Sequence, residues 1–333
     1  MKQAKIPGSG KLVANAARQS LRAFINGWLG VIGRLRAGNY DISRSIVIAS
    51  SPRGGSTWLA EIIVTLPGYT PIMEPLEPAI HPQVLEHGFG WHAYVSPGSV
   101  DELKHSYLQQ VLSGANLNLR YLGDWRNLRQ VHPFRFRGYV IKFVRANLLL
   151  YWMLQEFPVK GILLIRHPCA TVASQLHFGA WNHADKWART FLPMLETYDP
   201  RLVPICESLQ TTEQVLAFDW VMKTLVPLRE PRPHPWLLTT YKRLMVDGDS
   251  ELQRIFEHLG YSIPKQAYRQ LHIDSSSTKS YGALDADSRL TRWRKLLTSQ
   301  QIESILQIVA DSGIDFYDHR PHPDYSALGL AEL

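Results

Sequence analysis

The sequence predicts an α/β fold of three layers, in which a central, mainly parallel sheet is flanked by helices. Two observations lead to this prediction. Short apolar runs that are typical of buried strands alternate with longer segments of helical periodicity. At two places an apolar run passes directly into a helix start that glycine or proline marks. Alternating strands and helices fold as a mainly parallel sheet that is covered on both faces.

The elements follow in order along the chain. The predicted strands are 45–50, 139–144, 161–165 and 236–240. The predicted helices are 57–66, 147–156, 169–178, 249–259 and 299–312, with further helical segments around 185–195 and 212–225. The helix at 57–66 follows a glycine pair, the helix at 169–178 follows Pro168, and the helix at 249–259 ends at Gly260.

The first strand leads into a glycine-rich turn that reads Pro52-Arg53-Gly54-Gly55-Ser56-Thr57-Trp58. The two glycines allow successive N–H groups to point inward, and Ser56, Thr57 and the start of the next helix complete a cradle for phosphate or sulfate. A nucleotide-triphosphate loop would carry lysine after its second glycine, in the form G-x-x-x-x-G-K-[ST]. Here the cation, Arg53, precedes the glycines. The pattern predicts a P-loop-like oxyanion site; the alternative is a glycine turn without a ligand.

A second candidate anion site follows the strand at 161–165. Arg166 stands at the carboxyl end of this strand, Pro168 opens the next helix, and Ser174 lies a little more than two helical turns beyond Arg166. A guanidinium fork and a hydroxyl at one mouth suit a dianionic phosphate, although an arginine after a strand is also typical of a surface ion pair. Both turns follow strand carboxyl ends, where open α/β sheets bind ligands.

Together these residues resemble the sulfotransferase family that uses 3'-phosphoadenosine 5'-phosphosulfate (PAPS). The family's first loop has the form P-[KR]-x-G-[ST]-[ST]-W, and its second has the form R-x-P-x-x-x-x-x-S. The chain departs from these forms at Gly54, where serine is usual, and at His167, where Asp or Asn is usual. The resemblance runs from about residue 45 to about residue 316 and includes a late strand that ends at Tyr241.

The resemblance implies transfer of a sulfuryl group from PAPS to an acceptor hydroxyl by in-line displacement, with PAP as the product and without a metal. The first loop would hold the 5'-phosphosulfate, the second the 3'-phosphate, and Trp58 and Tyr241 the adenine. Arg53 matches the family's cation at the bridging oxygen. A C-terminal loop, here around 275–280, would cover the nucleotide. The expected donor-binding residues are Pro52, Arg53, Gly54, Gly55, Ser56, Thr57, Trp58, Arg166, Ser174 and Tyr241.

The catalytic base is expected in the segment after the first helix, which reads Met73-Glu74-Pro75-Leu76-Glu77-Pro78. It resembles an E-P-[LV] segment of carbohydrate-type and bacterial members. Glu74 is the first choice for the base, since apolar neighbours would raise the pKa of its carboxyl toward the working pH. Glu77, His81 and a carboxylate that only binds substrate are the alternatives, and His177 and His183 are candidates for acceptor contact.

The acceptor is expected to be the hydroxyl of a glycan, a glycolipid or another small metabolite. Carbohydrate is favoured because of the E-P-L segment alone. Two other classes of function stay open at this point. One is a P-loop kinase or nucleotide hydrolase, which the missing G-K-[ST] signature disfavours. The other is an inactive nucleotide-binding scaffold that recruits partners through its N-terminal arm.

Length and composition fit one catalytic domain. A chain of 333 residues with 45% hydrophobic residues buries a large core, so we expect a single domain at 41–320, an arm at 1–40 and a C-terminal tail at 321–333. Cys169 and Cys206 form no disulfide or zinc pattern and favour two small buried side chains in a reducing, cytoplasmic compartment. No feature of the sequence indicates an oligomeric state.

The positive charge is concentrated in the arm. Residues 1–40 hold seven Lys and Arg and no acidic residue, which leaves 29 of the 36 basic residues to balance 29 acidic ones elsewhere. This neutral body disfavours nucleic-acid binding. Apolar residues spaced three and four apart predict an amphipathic helix in the arm: Leu21, Phe24, Ile25, Trp28, Leu29, Ile32 and Leu35. The arm is interpreted as a helix on the anionic inner face of a membrane, a helix packed on the body, or a removed transit peptide.

Overall fold

The central sheet of the structure has five parallel strands in the order β2-β3-β1-β4-β5. The structure is a computed structural model that describes residues 9–179, 189–277 and 285–331. The strands are β1 (Ile46–Ser50), β2 (Tyr69–Met73), β3 (Gly138–Phe143), β4 (Lys160–Ile165) and β5 (Trp236–Thr240). The predicted mainly parallel sheet is confirmed.

Helices cover both faces of this sheet. They are α1 (Ser9–Ala37), α2 (Ser56–Ile63), α3 (Glu102–Leu112), α4 (Leu119–Leu122), α5 (Leu150–Glu156), α6 (Pro168–Phe178), α7 (Leu192–Tyr198), α8 (Val203–Ser208), α9 (Thr212–Leu228), α10 (Tyr241–Val246), α11 (Gly248–Leu259), α12 (Lys265–Leu271), α13 (Ala286–Thr291), α14 (Trp293–Leu296) and α15 (Ser299–Asp311). Short 3-10 helices span Ile42–Arg44, Pro82–His87, Trp125–Gln130, Asn147–Leu149, Arg189–Phe191 and Pro200–Leu202.

Alternate residues of each strand enter two different hydrophobic layers. In β1, Ile46 and Ile48 pack in the layer that α2, α11 and α12 close, whereas Val47 and Ala49 pack in the larger layer that includes α6, α9 and α15. Successive side chains of a strand point to opposite faces, so both faces of this sheet are buried. This explains why the strands are largely apolar.

Several elements of the structure were not predicted, among them β2 and α3. β2 reads Tyr-Thr-Pro-Ile-Met and forms an edge of the sheet. Pro71 has no N–H to donate and lowers the strand signal, yet an edge strand tolerates it. α3 starts at Asp101, whose carboxylate accepts a hydrogen bond from the Lys104 N–H at 3.0 Å.

Other predicted bounds shift slightly. The first helix of the body ends at Ile63, three residues before the predicted end. Around 185–195, a 3-10 turn at Arg189–Phe191 leads into α7, and residues 180–188 lie outside the described residues.

Residues 9–37 of the arm form one long helix, α1, and one of its faces packs on the body. Leu29 is fully buried, and the Asn26 side-chain oxygen accepts a hydrogen bond from the Leu119 N–H at 2.9 Å. A Cβ added at Gly33 would lie 2.4 Å from the Gly114 carbonyl oxygen, so glycine permits this close approach. Within the described ranges, no helix has the length and apolar character needed to cross a bilayer.

Candidate active site

The glycine-rich turn has the shape that its sequence predicts. The Gly54 N–H donates to the Ser51 carbonyl at 2.9 Å, and Gly55 adopts φ 104° as the residue before α2. A Cβ at position 55 would lie 2.6 Å from Cδ2 of Tyr241. Both the backbone angle and this contact therefore require glycine at position 55. The first N–H groups of α2 have no intrahelical acceptor and lie at the mouth of the turn with Ser56 and Thr57.

Local packing explains why glycine stands at position 54, where serine is usual. A Cβ at this position would lie 2.3 Å from the hydroxyl oxygen of Ser50 and 2.8 Å from the Ser51 carbonyl oxygen. The Ser50 side chain occupies the space that a side chain at position 54 would need. The departure from the family pattern thus follows from the packing of this chain.

Arg166 connects the two predicted anion sites. Its Nη1 donates to the Arg53 carbonyl oxygen at 3.0 Å, and its guanidinium carbon lies 4.3 Å from the centre of the Tyr241 ring. Trp220 Nε1 donates to the Arg166 carbonyl at 2.9 Å and fixes the end of β4. The Nε of Arg166 is buried and has no hydrogen-bond partner among the described residues. The two turns therefore meet in one cleft, and the Arg166 side chain contributes a cation to its lining.

Ser174, the second residue of the predicted 3'-phosphate site, contacts Arg53 of the first turn. Its hydroxyl accepts a hydrogen bond from the Nε of Arg53 at 3.2 Å. Both terminal nitrogens of Arg53 donate to the Ser277 carbonyl at 3.3 Å, and its guanidinium lies 5.0 Å from the centre of the Phe178 ring. Arg53 is thus held between α6 and the start of the 275–280 loop, of which residues 278–280 lie outside the described residues.

The two aromatic residues expected near adenine are neighbours. The ring centres of Trp58 and Tyr241 lie 5.5 Å apart with an interplanar angle of 55°. Both residues line the cleft.

His167 replaces Asp or Asn as the residue before α6. Its Nδ1 accepts a hydrogen bond from the Cys169 N–H at 3.2 Å, as an N-cap carboxylate or amide would. Its Nε2 lies 2.9 Å from the Asp318 carbonyl, and its ring stacks on Trp293 at 4.8 Å. Burial lowers the pKa of His167 to about 4. A neutral ring with Nε2–H therefore satisfies both contacts and preserves the cap.

Glu74 follows β2 and lines the cleft. Its N–H donates to the Lys142 carbonyl at 2.9 Å; its carboxylate forms an ion pair with the Lys142 ammonium and accepts a hydrogen bond from the Val144 N–H at 3.1 Å. The prediction that Glu74 has apolar neighbours is therefore wrong, because an ammonium group and a backbone N–H contact its carboxylate. A carboxylate has about four lone-pair sites, so accepting capacity for an acceptor hydroxyl remains.

The two alternative bases lie elsewhere. Glu77 forms an ion pair with Arg145 at 2.8 Å, and His81 is buried and stacks on Tyr121 at 4.2 Å. Burial lowers the pKa of His81 to about 4. Neither residue lines the cleft. Of the three candidates, Glu74 alone lines the cleft.

Backbone strain coincides with the two predicted catalytic residues. Within the described ranges, Arg53 (φ 65°) and Glu74 (φ 51°) are the non-glycine residues with positive φ. Such conformations persist where the surrounding structure enforces them, and they cluster at functional sites. The two residues lie at separate turns and border the same cleft.

Lys142 is a site residue that the sequence analysis missed. Its ammonium donates to the Thr57 hydroxyl at 3.1 Å and pairs with Glu74, so it joins the anion cradle to the candidate base. It lies in β3, where its neighbours on both sides are buried and apolar. A single charged residue near the carboxyl end of an otherwise apolar strand was the available signal.

The cleft has a volume of about 300 Å³, at the lower end of the range for small-molecule sites. Five cationic side chains and two carboxylates are among its lining residues: Arg53, Lys142, Arg166, Arg289 and Arg292, with Glu74 and Asp274. Asp274 is itself paired with Arg289 at 2.6 Å. The excess of cations favours an anionic ligand.

All predicted donor-binding residues except Gly54, which shapes the turn behind them, line this cleft. His177 also lines it, whereas His183 lies outside the described residues. Cys169 and Cys206 are buried and form no disulfide, and burial raises the pKa of the Cys169 thiol to about 12. In the part of the chain that the structure describes, no cluster of His, Cys, Asp or Glu is arranged to hold a metal ion.

Comparison with solved structures finds several sulfotransferases. A sulfotransferase domain from the curacin biosynthetic pathway is 15% identical, with 81% of this chain and 97% of that chain covered and a TM-score of 0.43. The sulfotransferase domain of the Synechococcus PCC 7002 olefin synthase is 17% identical, with 81% and 94% covered and a TM-score of 0.40. A mouse sulfotransferase complexed with PAP is 15% identical, with 84% and 88% covered and a TM-score of 0.41.

A search of curated proteins gives no significant match. A family model described as the sulfotransferase domain matches residues 43–280, which include both predicted anion-binding turns, Glu74 and Lys142. The chain therefore belongs to the sulfotransferase family.

Proposed function

We propose that this sulfotransferase moves a sulfuryl group from PAPS to an acceptor hydroxyl and releases PAP. The observation that carries the proposal is the hydrogen bond between Arg166 and the Arg53 carbonyl, which joins the two predicted anion-binding turns. Two anion sites at one cleft suit a donor that carries phosphate groups at two positions of one adenosine. The net positive charge of the lining residues supports the same ligand class.

The residues of the cleft fit this donor. Ser56, Thr57 and the first N–H groups of α2 would hold the 5'-phosphosulfate. Arg166 would bind the 3'-phosphate with its guanidinium group, and Ser174, which also lines the cleft, would add a hydroxyl. Trp58 and Tyr241 would contact the adenine. When bound, the donor supplies the activated sulfuryl group.

Arg53 and Glu74 would carry the chemical step. Glu74 would accept the proton of the acceptor hydroxyl as its oxygen forms the new bond to sulfur. Arg53 would stabilise the negative charge that develops on the bridging oxygen as the old bond breaks. For this role the Arg53 guanidinium has to leave the Ser277 carbonyl or share its donors with the ligand.

Lys142 would position Glu74 and add positive charge beside the cradle. Its ammonium contacts both the Glu74 carboxylate and the Thr57 hydroxyl. This ion pair would hold the Glu74 carboxylate at the edge of the cleft, beside the cradle. The acceptor class that we propose is a hydroxyl of a glycan, a glycolipid or another small metabolite.

The test measures label transfer from sulfur-labelled PAPS, with an extract of the protein's own cells as the acceptor source. We expect Arg53→Ala and Glu74→Gln each to lower the transfer rate at least about a hundredfold, because each removes a group that acts in the transition state. PAP binding by Glu74→Gln should stay within a few fold of the unaltered chain. An unchanged transfer rate in Arg53→Ala would refute the assigned mechanism.

Two matched variants serve as controls. Arg44→Ala removes an exposed arginine, and Glu86→Gln neutralises an exposed carboxylate, both away from the cleft residues. Both should transfer at the unaltered rate. Donor binding that required magnesium would favour a kinase or nucleotide hydrolase instead.

A further inference from the structure

One face of α1 carries a continuous row of exposed apolar side chains. Phe24 and Leu35 are 72% and 73% exposed. The row is formed by Leu21, Phe24, Trp28, Val31 and Leu35. Their spacing of three and four residues places them on one side of the helix over about 21 Å. We call these five residues the α1 apolar row.

The row points away from the contacts that fix α1 to the body. Ile25, Asn26, Leu29 and Gly33 make those contacts. At 100° per residue they lie on a different side of the helix from the row. The helix therefore has two apolar faces, of which the body covers one.

Further exposed aromatic residues adjoin α1. Phe134 is 98% exposed, and it lies in a segment whose His132 carbonyl accepts a hydrogen bond from Arg36 at 2.7 Å. Trp125 is also exposed, and the Arg22 guanidinium lies 6.0 Å from the centre of its ring. The exposed apolar surface thus extends beyond the helix itself.

Positive charge borders this surface. α1 contains no acidic residue. Asp124 is the single acidic residue between 124 and 137, and it is paired with Arg126. The exposed basic residues of this segment, and of α1 from residue 15 onward, are Arg18, Arg22, Arg34, Arg126, Arg129, Arg135 and Arg137. Aromatic and aliphatic side chains bordered by arginine match the interface of an anionic bilayer, where apolar groups insert and arginine contacts phosphate.

We propose that the α1 apolar row, with Trp125 and Phe134, docks this enzyme on an anionic lipid surface, with α1 lying in the plane of the interface. A second copy of the chain is the competing occupant, because a three-and-four spacing also suits helix pairing. Pairing of two α1 helices would bring arginines together without an acidic partner on either helix. The charge therefore favours lipid.

The experiment is flotation of the full chain with two kinds of vesicle: phosphatidylcholine alone, and phosphatidylcholine mixed with phosphatidylglycerol. We expect binding to the mixed vesicles and at least about tenfold weaker binding to the neutral ones. Phe24→Ser combined with Trp28→Ser should weaken binding to the mixed vesicles at least about tenfold. Arg18→Gln combined with Arg34→Gln should weaken binding to the mixed vesicles by a similar factor. Added salt should also weaken the binding of the unaltered chain to these vesicles.

Val100→Ser combined with Leu103→Ser is the matched control, since it removes two exposed apolar side chains away from α1. This variant should bind as the unaltered chain does. Equal binding to neutral and anionic vesicles would overturn the proposed role of charge. A concentration-dependent dimer that Phe24→Ser with Trp28→Ser dissociates, without vesicle binding, would assign the row to a second copy. PAP binding measured on each variant reports whether its cleft is intact.

Discussion

At the residue scale, His167 shows how one side chain replaces another without loss of its structural role. An Asp or Asn before α6 would accept the Cys169 N–H, and here the imidazole Nδ1 does so. The imidazole is held neutral, because burial lowers its pKa to about 4 from an ordinary value of 6.5. The cost of this replacement is a dependence of stability on pH, which a carboxamide would not have.

We predict that His167→Asn flattens this pH dependence. Between pH 6.5 and pH 4 the unfolded His167 takes up a proton that the folded form does not, so the free energy of unfolding falls as the pH is lowered through this window. Asn keeps the cap and does not titrate. The slope of the free energy of unfolding against pH should therefore decrease by up to about 1.4 kcal/mol per pH unit. Urea unfolding at several pH values within the window measures it.

His167→Ala separates the cap from the titration. It should lose the same pH-dependent term and, in addition, about 1 kcal/mol at every pH, because the Cys169 N–H loses its acceptor. His81 and His92, whose pKa values burial also lowers, are the same in all three chains and cancel in the comparison. Equal slopes in the unaltered chain and in His167→Asn would show that His167 does not carry the effect.

At the element scale, the turn between β1 and α2 depends on its contact with the start of α10. Gly55 combines φ 104° with a close approach to the Tyr241 ring, which the Arg166 guanidinium covers. The cradle, the second anion site and the aromatic pair are therefore packed as one unit. A change in the backbone of the turn should therefore alter the geometry of the cradle, the second site and the aromatic pair together.

We predict that Gly55→Ala destabilises the fold and weakens PAP binding. The Cβ would lie 2.6 Å from Cδ2 of Tyr241. Gly98→Ala is the control, because Gly98 has φ 73° and nothing lies within 4 Å of its added Cβ. Both variants incur the cost of positive φ, about 1–2 kcal/mol, and Gly55→Ala adds about 1–3 kcal/mol of overlap. Thermal unfolding and PAP calorimetry measure both effects; equal destabilisation with normal PAP binding would contradict this account.

The sequence predicts those elements whose hydrophobic pattern is visible within the element itself. Four of the five strands were predicted because both faces of the sheet are buried and leave near-continuous apolar runs. β2 was missed because Pro71 interrupts its pattern, and the edge position that tolerates proline is a property of the sheet. The contact of Arg166 with the Arg53 carbonyl was expected only as a shared cleft, since sequence order does not fix a distance.

The site was predicted less completely than the fold. Residues of a compact motif, such as Arg53 and Ser56, are adjacent in sequence and were identified together. Lys142 was missed because it has no neighbouring motif residue; its partners Thr57 and Glu74 meet it only through the pairing of β1, β2 and β3. The polar surroundings of Glu74 were missed for the same reason, because its partners Lys142 and Val144 lie in β3 and directly after it.

At the scale of the whole molecule, positive charge is concentrated in two regions, although the residues beyond 40 are formally neutral in sum. One region is the cationic cleft at the carboxyl edge of the sheet, and the other is α1 with the neighbouring segment 124–137. α1 reaches the body through α4, which contacts β2, the strand that precedes Glu74. The proposed lipid-docking surface and the candidate base are therefore connected through one edge of the sheet.

The central claim is that two turns bind opposite ends of one adenosine nucleotide, and ligands that differ only in the 3'-phosphate test it most directly. Calorimetry would compare PAP with adenosine 5'-phosphate on the unaltered chain, on Arg166→Ala and on Ser174→Ala, a milder change. We predict that the unaltered chain prefers PAP at least about tenfold, that Ser174→Ala reduces this preference, and that Arg166→Ala abolishes it. An undiminished preference for PAP in Arg166→Ala would contradict the claim.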